Sequence, residues 1–169
     1  MGCGKTTVGR LLAAQLAWRF VDLDERIEQS AGASISDIFE RQGEPAFRGI
    51  ERDQLARALG EVNGADAPTV LALGGGTFAQ TENVTMVREF AAGSGAVTIW
   101  LDCPVDELLS RCATMTNRPL FRNEIGFREL FATRLPFYQQ ADYRVASDVD
   151  PRRVVERILA LGFLEKVTA

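Results

Sequence analysis

Gly2-Cys3-Gly4-Lys5-Thr6-Thr7 is the stretch that decides the fold of this 169-residue chain. It matches the second half of the pattern G-x-x-x-x-G-K-[ST], a P-loop in which backbone N–H groups converge on phosphate oxygens. Lys5 is expected to reach the β- and γ-phosphates of ATP, and the Thr6 hydroxyl to bind Mg²⁺. Apolar residues at helical spacing predict a helix over Lys5–Leu16, whose positive dipole end faces the same anion. The stretch therefore predicts a nucleotide site, the alternative being a glycine-rich helix start without a ligand.

The pattern is incomplete at its beginning. Its first glycine would fall two positions before Met1, and the strand that normally precedes such a loop is missing from the sequence. We expect that strand at the centre of the sheet. We therefore expect that Met1 is not the natural functional start, or that a chain beginning there is impaired.

Composition narrows the class of protein. The chain has no histidine, which excludes histidine triads and histidine metal sites, and its net charge of −4 argues against nucleic-acid binding. The three cysteines are widely spaced, which fits neither a zinc site nor a disulfide framework. No apolar run reaches membrane-spanning length. We expect a single domain over 1–169 that is cytoplasmic and monomeric, without nucleic-acid or membrane partners.

Apolar runs alternate with amphipathic segments along the chain. This alternation predicts an α/β fold with a parallel sheet flanked by helices. The run 69–73 is expected to be a strand buried on both faces. Strands are predicted near residues 20–23, 69–73, 96–101 and 143–146.

Two aspartates follow the first predicted strand. Asp22 and Asp24 alternate with Leu23, so we expect both carboxylates on one strand face, at the edge where ligands bind in α/β sheets. One carboxylate could hold Mg²⁺ through water, and the other could accept a proton from an attacking hydroxyl. The alternative is that Asp24 only caps the next helix.

Two further features have both a structural and a functional interpretation. Arg48 and Glu51 lie one helical turn apart. They could form a surface ion pair, or Arg48 could bind an anion while Glu51 holds it in place. Gly74-Gly75-Gly76 follows a buried strand, either to admit a ligand close to the backbone or to form a flexible turn.

At this point the residues resemble one family. The chain is similar to shikimate kinases from Gly2 to about residue 162, with the motifs in family order and at family spacing. The matching motifs are Asp22-Leu23-Asp24, Ile27-Glu28, Gly32-Ala33-Ser34-Ile35, Ile38-Phe39, Gly43-Glu44, Phe47-Arg48 with Glu51, Gly74-Gly75-Gly76, Arg118-Pro119-Leu120, and Arg134-Leu135-Pro136-Phe137-Tyr138 with Ala141-Asp142.

The resemblance implies a P-loop kinase sandwich with a substrate-binding subdomain at about 25–52 and a lid at about 112–125. It implies transfer of the ATP γ-phosphate to the 3-hydroxyl of shikimate, with Lys5, Asp24 and Arg118 as catalytic residues. The implied ATP-binding residues are Gly2, Cys3, Gly4, Lys5, Thr6, Thr7 and Arg118, and the implied Mg²⁺ ligands are Thr6 and, through water, Asp22. The implied substrate-binding residues are Asp24, Arg48, Gly74, Gly75, Gly76 and Arg134, with Phe39, Phe47 and Pro119 lining the pocket.

Two alternatives remain open at the level of sequence. Another small P-loop kinase, such as a gluconate kinase, would also carry a P-loop and lid arginines. Arg48, Arg134 and the three glycines favour a substrate that bears a carboxylate, as shikimate does. A catalytically impaired homologue is the second alternative, and its support is the truncated start. The segment 147–151 lacks the arginine that some shikimate kinases place against adenine, so no adenine contact is assigned.

Overall fold

The structure is a computed structural model that describes residues 2–113 and 123–163. Within these ranges it contains seven helices, four strands and one short 3₁₀ turn at Thr77–Ala79. The strands are β1 (Arg19–Asp22), β2 (Thr69–Ala72), β3 (Ile99–Asp102) and β4 (Tyr143–Ala146). The helices are α1 (Lys5–Leu16), α2 (Leu23–Ala31), α3 (Ile35–Asn63), α4 (Thr81–Ser94), α5 (Val105–Ala113), α6 (Glu124–Tyr138) and α7 (Pro151–Leu159). The order confirms the predicted alternation of strands and helices.

Local sequence signals set the helix boundaries in the first third of the chain. Gly32 ends α2 in the left-handed conformation, and Ser34 begins α3 with a capping box in which its hydroxyl accepts from the Asp37 N–H. Gly43 interrupts α3 at φ 80° and ψ 172°, and Pro45 starts the second part in its first turn. This kink confirms the predicted break. The second part of α3 carries Arg48 and Glu51.

The strands form two separate parallel pairs. β1 pairs with β2, with Arg19 opposite Thr69, and β3 pairs with β4, with Ile99 opposite Tyr143. β2 and β3 both line a cavity of about 300 Å³, together with the inward face of α1. In the described part of the chain no strand lies between them. That a further strand belongs at this central position stays a prediction.

The cavity explains one wrong expectation about burial. The run 69–73 was expected to be buried on both faces, but Thr69, Val70 and Leu71 in β2 are only half-buried. These residues line the cavity, so among the described residues no neighbour covers that side of β2. The apolar composition of β2 suits the interior of a sheet, and composition alone does not report which neighbours a strand has.

Three apolar clusters hold the helices against the strands. One cluster joins α2, α3 and α4 around Ile27, Leu55 and Val84. A second joins α1 and α7 around Val8, Leu12 and Val154. A third lies beneath the P-loop and consists of Cys103, Leu108 and Phe127, with Cys3 packed against it. None of the helices within 2–113 and 123–163 has the length and apolar character needed to cross a membrane.

Candidate active site

The P-loop has the backbone that its glycines predict. Gly2 and Gly4 take φ of 70° and 86°, values that a side chain would strain, and Gly4 directly precedes the first turn of α1. Lys5, Thr6 and Thr7 form that first turn, so their N–H groups and the helix dipole point out of the loop. The loop therefore presents a positive, anion-binding end of a helix at the edge of the sheet.

Thr6 and Asp22 meet at this edge. The Thr6 hydroxyl donates to Asp22 Oδ2 at 2.6 Å, and the Asp22 carboxyl group is buried. A hydroxyl and a carboxylate are the oxygen ligands that Mg²⁺ accepts when phosphates and waters complete its shell. The donor set at this position therefore fits the metal that the sequence predicts.

Asp22 and Asp24 are arranged differently from the expectation. They do not share a strand face, because β1 ends at Asp22 and Leu23 already begins α2. Asp22 is the cap of α2, and its Oδ1 accepts the Asp24 N–H at 3.0 Å. Asp24 is thus not the helix cap, and its own carboxylate points elsewhere. The helix begins two residues earlier than the alternative cap at Asp24 would place it, so Asp22 satisfies an N–H of the first turn.

Cys3 shares the P-loop with Lys5. Burial acts to raise the pKa of the Cys3 thiol, but the charges of Lys5 and of the amino terminus, together with backbone hydrogen bonds, outweigh it and lower that pKa. Cys103 lies in the apolar cluster beneath, where burial raises its pKa. The two thiols therefore differ because Cys3 has positive charges beside it, whereas burial is the main influence on Cys103.

The Asp24 carboxylate lies on the loop formed by Gly74, Gly75 and Gly76, which we call the glycine loop. A Cβ added at Gly74 would lie 2.6 Å from Asp24 Oδ1 and 2.8 Å from Thr77 Oγ1. No side chain fits at this position, so Gly74 is required by close approach and is more than a flexible turn. The loop brings β2 and its following turn directly against the aspartate of α2.

All three carbonyls of the glycine loop are occupied. Gly74 O accepts the Thr77 N–H at 3.1 Å, Gly76 O accepts the Ala79 N–H at 3.1 Å, and Gly75 O accepts the Tyr138 hydroxyl. The N–H groups of the three glycines, by contrast, donate no hydrogen bond to any part of the chain that the structure describes. Gly74 and Gly76 are buried. These N–H groups are therefore available to donate to a ligand, as backbone N–H groups do in anion-binding loops.

Arg48 lies on the same loop and is held by carboxylates. A Cβ at Gly76 would lie 2.5 Å from Arg48 Nη1. Arg48 donates to Glu51 Oε2 at 2.8 Å and to Glu44 Oε1 at 2.9 Å. Glu51 is 1% exposed, and its other oxygen accepts the hydroxyl of buried Thr77 at 2.7 Å. The surface-pair interpretation is therefore wrong, because Glu51 is a buried anchor that fixes the guanidinium.

Arg134 lies on α6 beside Tyr138, whose hydroxyl contacts the glycine loop. It is 7% exposed, and no carboxylate in residues 2–113 or 123–163 forms an ion pair with it. Tyr138, one turn further along α6, is the connection between this arginine and the glycine loop. A buried cation without a counter-ion is costly unless an anion joins it, so Arg134 marks a second position for negative charge.

Two of the predicted site residues stand apart from this geometry. Arg118 and Pro119 lie outside the described residues, together with most of the expected lid at 112–125. Phe39 and Phe47 do come together, with ring centroids 4.6 Å apart, and the Arg48 guanidinium lies 5.1 Å from the Phe47 ring centroid. The expected substrate subdomain at 25–52 corresponds to α2 and the beginning of α3.

Tyr138 and Thr77 are the residues to which the sequence assigns no role. The signal for Tyr138 is its spacing of four residues from Arg134, which places both side chains on one face of α6. Thr77 directly follows the glycines, and no pattern in the sequence indicates which residue its side chain contacts. The structure brings both against the glycine loop.

Comparison with known proteins identifies the family of this site. The shikimate kinase family model matches residues 1–161. The shikimate kinase of Persephonella marina is 41% identical over 161 residues, covering 94% of this chain and 92% of that protein. The structure of shikimate kinase from Acinetobacter baumannii in complex with shikimate aligns with a TM-score of 0.81 and 36% identity, over 99% of this chain and 90% of that one.

A second kind of kinase shares the architecture. A gluconokinase from Sinorhizobium meliloti aligns with a TM-score of 0.64 over 99% of this chain and 89% of that chain, but at 20% identity, which shows the common fold alone. The shikimate kinase family model, in contrast, matches residues 1–161, and a shikimate kinase is about 40% identical, twice the identity to the gluconokinase. This chain belongs to the shikimate kinase family and has its P-loop kinase fold.

Proposed function

We propose that this protein transfers the γ-phosphate of ATP to the 3-hydroxyl of shikimate, giving shikimate 3-phosphate for aromatic amino acid biosynthesis. The observation that carries the proposal is the glycine loop, whose N–H groups donate to no acceptor in the described chain. Arg48 approaches this loop from one side, and Tyr138, beside Arg134, from another. Donors of this kind around one point suit the carboxylate of a small acid.

The acceptor hydroxyl is assigned to Asp24. Its carboxylate lies against Gly74 at the same loop that would hold the substrate carboxylate. Asp24 Oδ1 can accept the proton of a hydroxyl on the ring, or orient that hydroxyl toward the phosphate. A substrate that carries a carboxylate on one side and a hydroxyl on the other would bridge Arg48 and Asp24.

The phosphate donor is assigned to the P-loop. Lys5 and the N–H groups of the first turn of α1 would hold the ATP phosphates, with Gly2, Cys3, Gly4 and Thr7 forming the wall of the loop. Thr6 and Asp22 would hold Mg²⁺, which neutralises charge on the phosphates when bound. Asp22 also caps α2, so the metal position and Asp24 are joined by a single turn of backbone. Arg118 is assigned to ATP from the sequence alone.

The experiment measures ADP release with shikimate, gluconate and no acceptor, each with and without Mg²⁺. We expect Mg²⁺-dependent release with shikimate, and a product that carries one phosphate on the 3-oxygen by ³¹P and ¹H NMR. Release with gluconate and none with shikimate would overturn the proposal in favour of the second kinase class. If ATP and shikimate both bind by calorimetry but no ADP forms, the chain is an impaired homologue.

A further inference from the structure

The hydroxyl of Tyr138 is fixed in place by aromatic packing. Its ring lies between Trp100 and Phe131, with centroid distances of 6.1 Å and 6.5 Å. The Arg144 guanidinium covers the Trp100 ring at 5.1 Å from its centroid. Tyr138 therefore ends α6 with little freedom, and its hydroxyl donates to the carbonyl of Gly75.

This hydrogen bond sets the orientation of one peptide plane in the glycine loop. The carbonyl of Gly75 and the N–H of Gly76 belong to the same peptide unit and point in opposite directions, because the unit is planar and trans. When Tyr138 holds the carbonyl on its own side, the Gly76 N–H must point away from Tyr138. Glycine has little intrinsic preference that would hold this plane, so the orientation depends on an external partner.

Charges around the hydroxyl match this role. Burial raises the pKa of Tyr138, against Arg134 and Lys5, whose positive charges act to lower it. The group therefore stays protonated across the neutral range and keeps its hydrogen as a donor. A hydroxyl can also accept a bond from the neighbouring Arg134, so Tyr138 is placed to contact two members of the proposed carboxylate receptor at once.

We propose that Tyr138 is a positioning residue that orients the Gly75–Gly76 peptide and Arg134 for the substrate carboxylate. It acts through these groups and is not assigned a contact with the reacting atoms. The inference rests on the proposed function, since it concerns the acid that the glycine loop would bind. In this role, Tyr138 on α6 would favour substrates that bear a carboxylate.

The test is Tyr138→Phe, which keeps the ring between Trp100 and Phe131 and removes only the hydroxyl. We expect KM for shikimate to rise about three- to tenfold, the range for one neutral hydrogen bond, with kcat and KM for ATP within about twofold of the parent. Tyr143→Phe is the matched control, because that tyrosine packs against Phe163 away from the loop and should change nothing. A fall in kcat, or a rise in both KM values, would show a structural role and overturn the proposal.

A second substrate makes the readout specific for the carboxylate. Shikimate methyl ester lacks the negative charge. Its binding to the Tyr138→Phe variant should be less than twofold weaker than its binding to the parent protein. An equal loss with acid and ester would overturn the proposal. If the parent protein does not phosphorylate shikimate at all, the proposed function fails and this inference with it. An active parent with an unchanged Tyr138→Phe variant refutes only the role of Tyr138.

A measurement on the parent protein covers the case in which the variant does not fold. The backbone amide resonance of Gly76 should shift when shikimate is added to the ¹⁵N-labelled protein, since its N–H would gain an acceptor. An unmoved Gly76 resonance at saturating shikimate would overturn the proposal without any substitution.

Discussion

Arg48 lies on the glycine loop and Arg134 lies beside Tyr138, which contacts that loop, but the surroundings of the two arginines differ. Arg48 donates to Glu51 and Glu44, and Glu51 is anchored in turn by Thr77. Arg134 is more deeply buried, and in the part of the chain that is described no carboxylate balances its charge. The carboxylates that hold Arg48 in position also neutralise its charge, whereas the charge of Arg134 remains available to a ligand. In the proposed receptor, α3 therefore supplies a guanidinium in a fixed position, and α6 supplies a positive charge.

The largest effect is expected from Asp24, the anionic side chain that lies on the glycine loop with Arg48. Asp24→Asn keeps the shape of the side chain but removes the charge and the proton acceptor. We expect kcat to fall by about 10²–10⁴, with ATP affinity close to the parent value. Asp53→Asn on the exposed face of α3 is the control and should leave kcat unchanged. A variant with kcat within a few-fold of the parent would remove Asp24 from the chemistry.

Both arginines should contribute to shikimate binding. Arg48→Ala and Arg134→Ala each remove a charge-assisted donor, so we expect shikimate affinity to fall about ten- to a hundredfold, with ATP affinity little changed. Calorimetry with each ligand measures this. Arg52→Ala on α3 and Arg128→Ala on α6 are controls, because both arginines pair with carboxylates at the surface. Unchanged shikimate affinity in either variant would remove that arginine from the receptor.

Arg48→Ala and Arg134→Ala should differ in stability, and this difference tests the comparison of the two arginines more directly than their affinities do. Arg48→Ala leaves the buried Glu51 carboxylate with the Thr77 hydroxyl but without its cation, a loss of about 1–3 kcal/mol. Arg134→Ala removes a buried cation that has no carboxylate among the described residues, so we expect its Tm to equal or exceed that of the parent. Adding Glu51→Gln to Arg48→Ala should recover part of the loss. Equal Tm for the two single variants would contradict the division of roles.

Much of this arrangement follows from local sequence signals. Gly32, Ser34 and Gly43 predict their helix boundaries because each acts on adjacent backbone through a positive φ or a capping hydrogen bond. The pairing of Arg48 with Glu51 is also local, since helical spacing brings them together. These are interactions between residues at most a few positions apart, and the sequence alone contains them.

The rest depends on contacts between distant segments. Glu51 is buried because Thr77 and the glycine loop pack against it. The hydrogen bond between Thr77 and Glu51 joins residues that are 26 positions apart in the chain. The bond from Tyr138 to Gly75 spans 63 residues. The half-buried state of β2 depends on a cavity between two strand pairs. Periodicity and spacing carry no information on such contacts, which is why the resemblance to a family was needed to bring Arg134 to the site.

The smallest effect is expected from Glu44→Gln, which would make Arg48 more similar to Arg134. Glu44 is half-exposed, and it accepts from Arg48 Nη2 at 2.9 Å and from Nε at 3.2 Å. The glutamine carbonyl can still accept these bonds, so Arg48 should stay in position while one negative charge beside the receptor is lost. Exposed pairs of this kind contribute little, and we expect shikimate to bind only about two- to threefold more tightly at low salt.

Salt dependence separates this electrostatic effect from a change in geometry. The gain in affinity should disappear at about 1 M salt, where the screening length falls to about 3 Å. Glu40→Gln, on the exposed surface of α3 before the kink at Gly43, changes the net charge by the same unit and should have no effect on binding. Weaker binding by Glu44→Gln at every salt concentration would show that Glu44 is needed to position Arg48. In that case both carboxylates serve geometry, and the positive charge of the receptor comes from Arg134 alone among the described arginines.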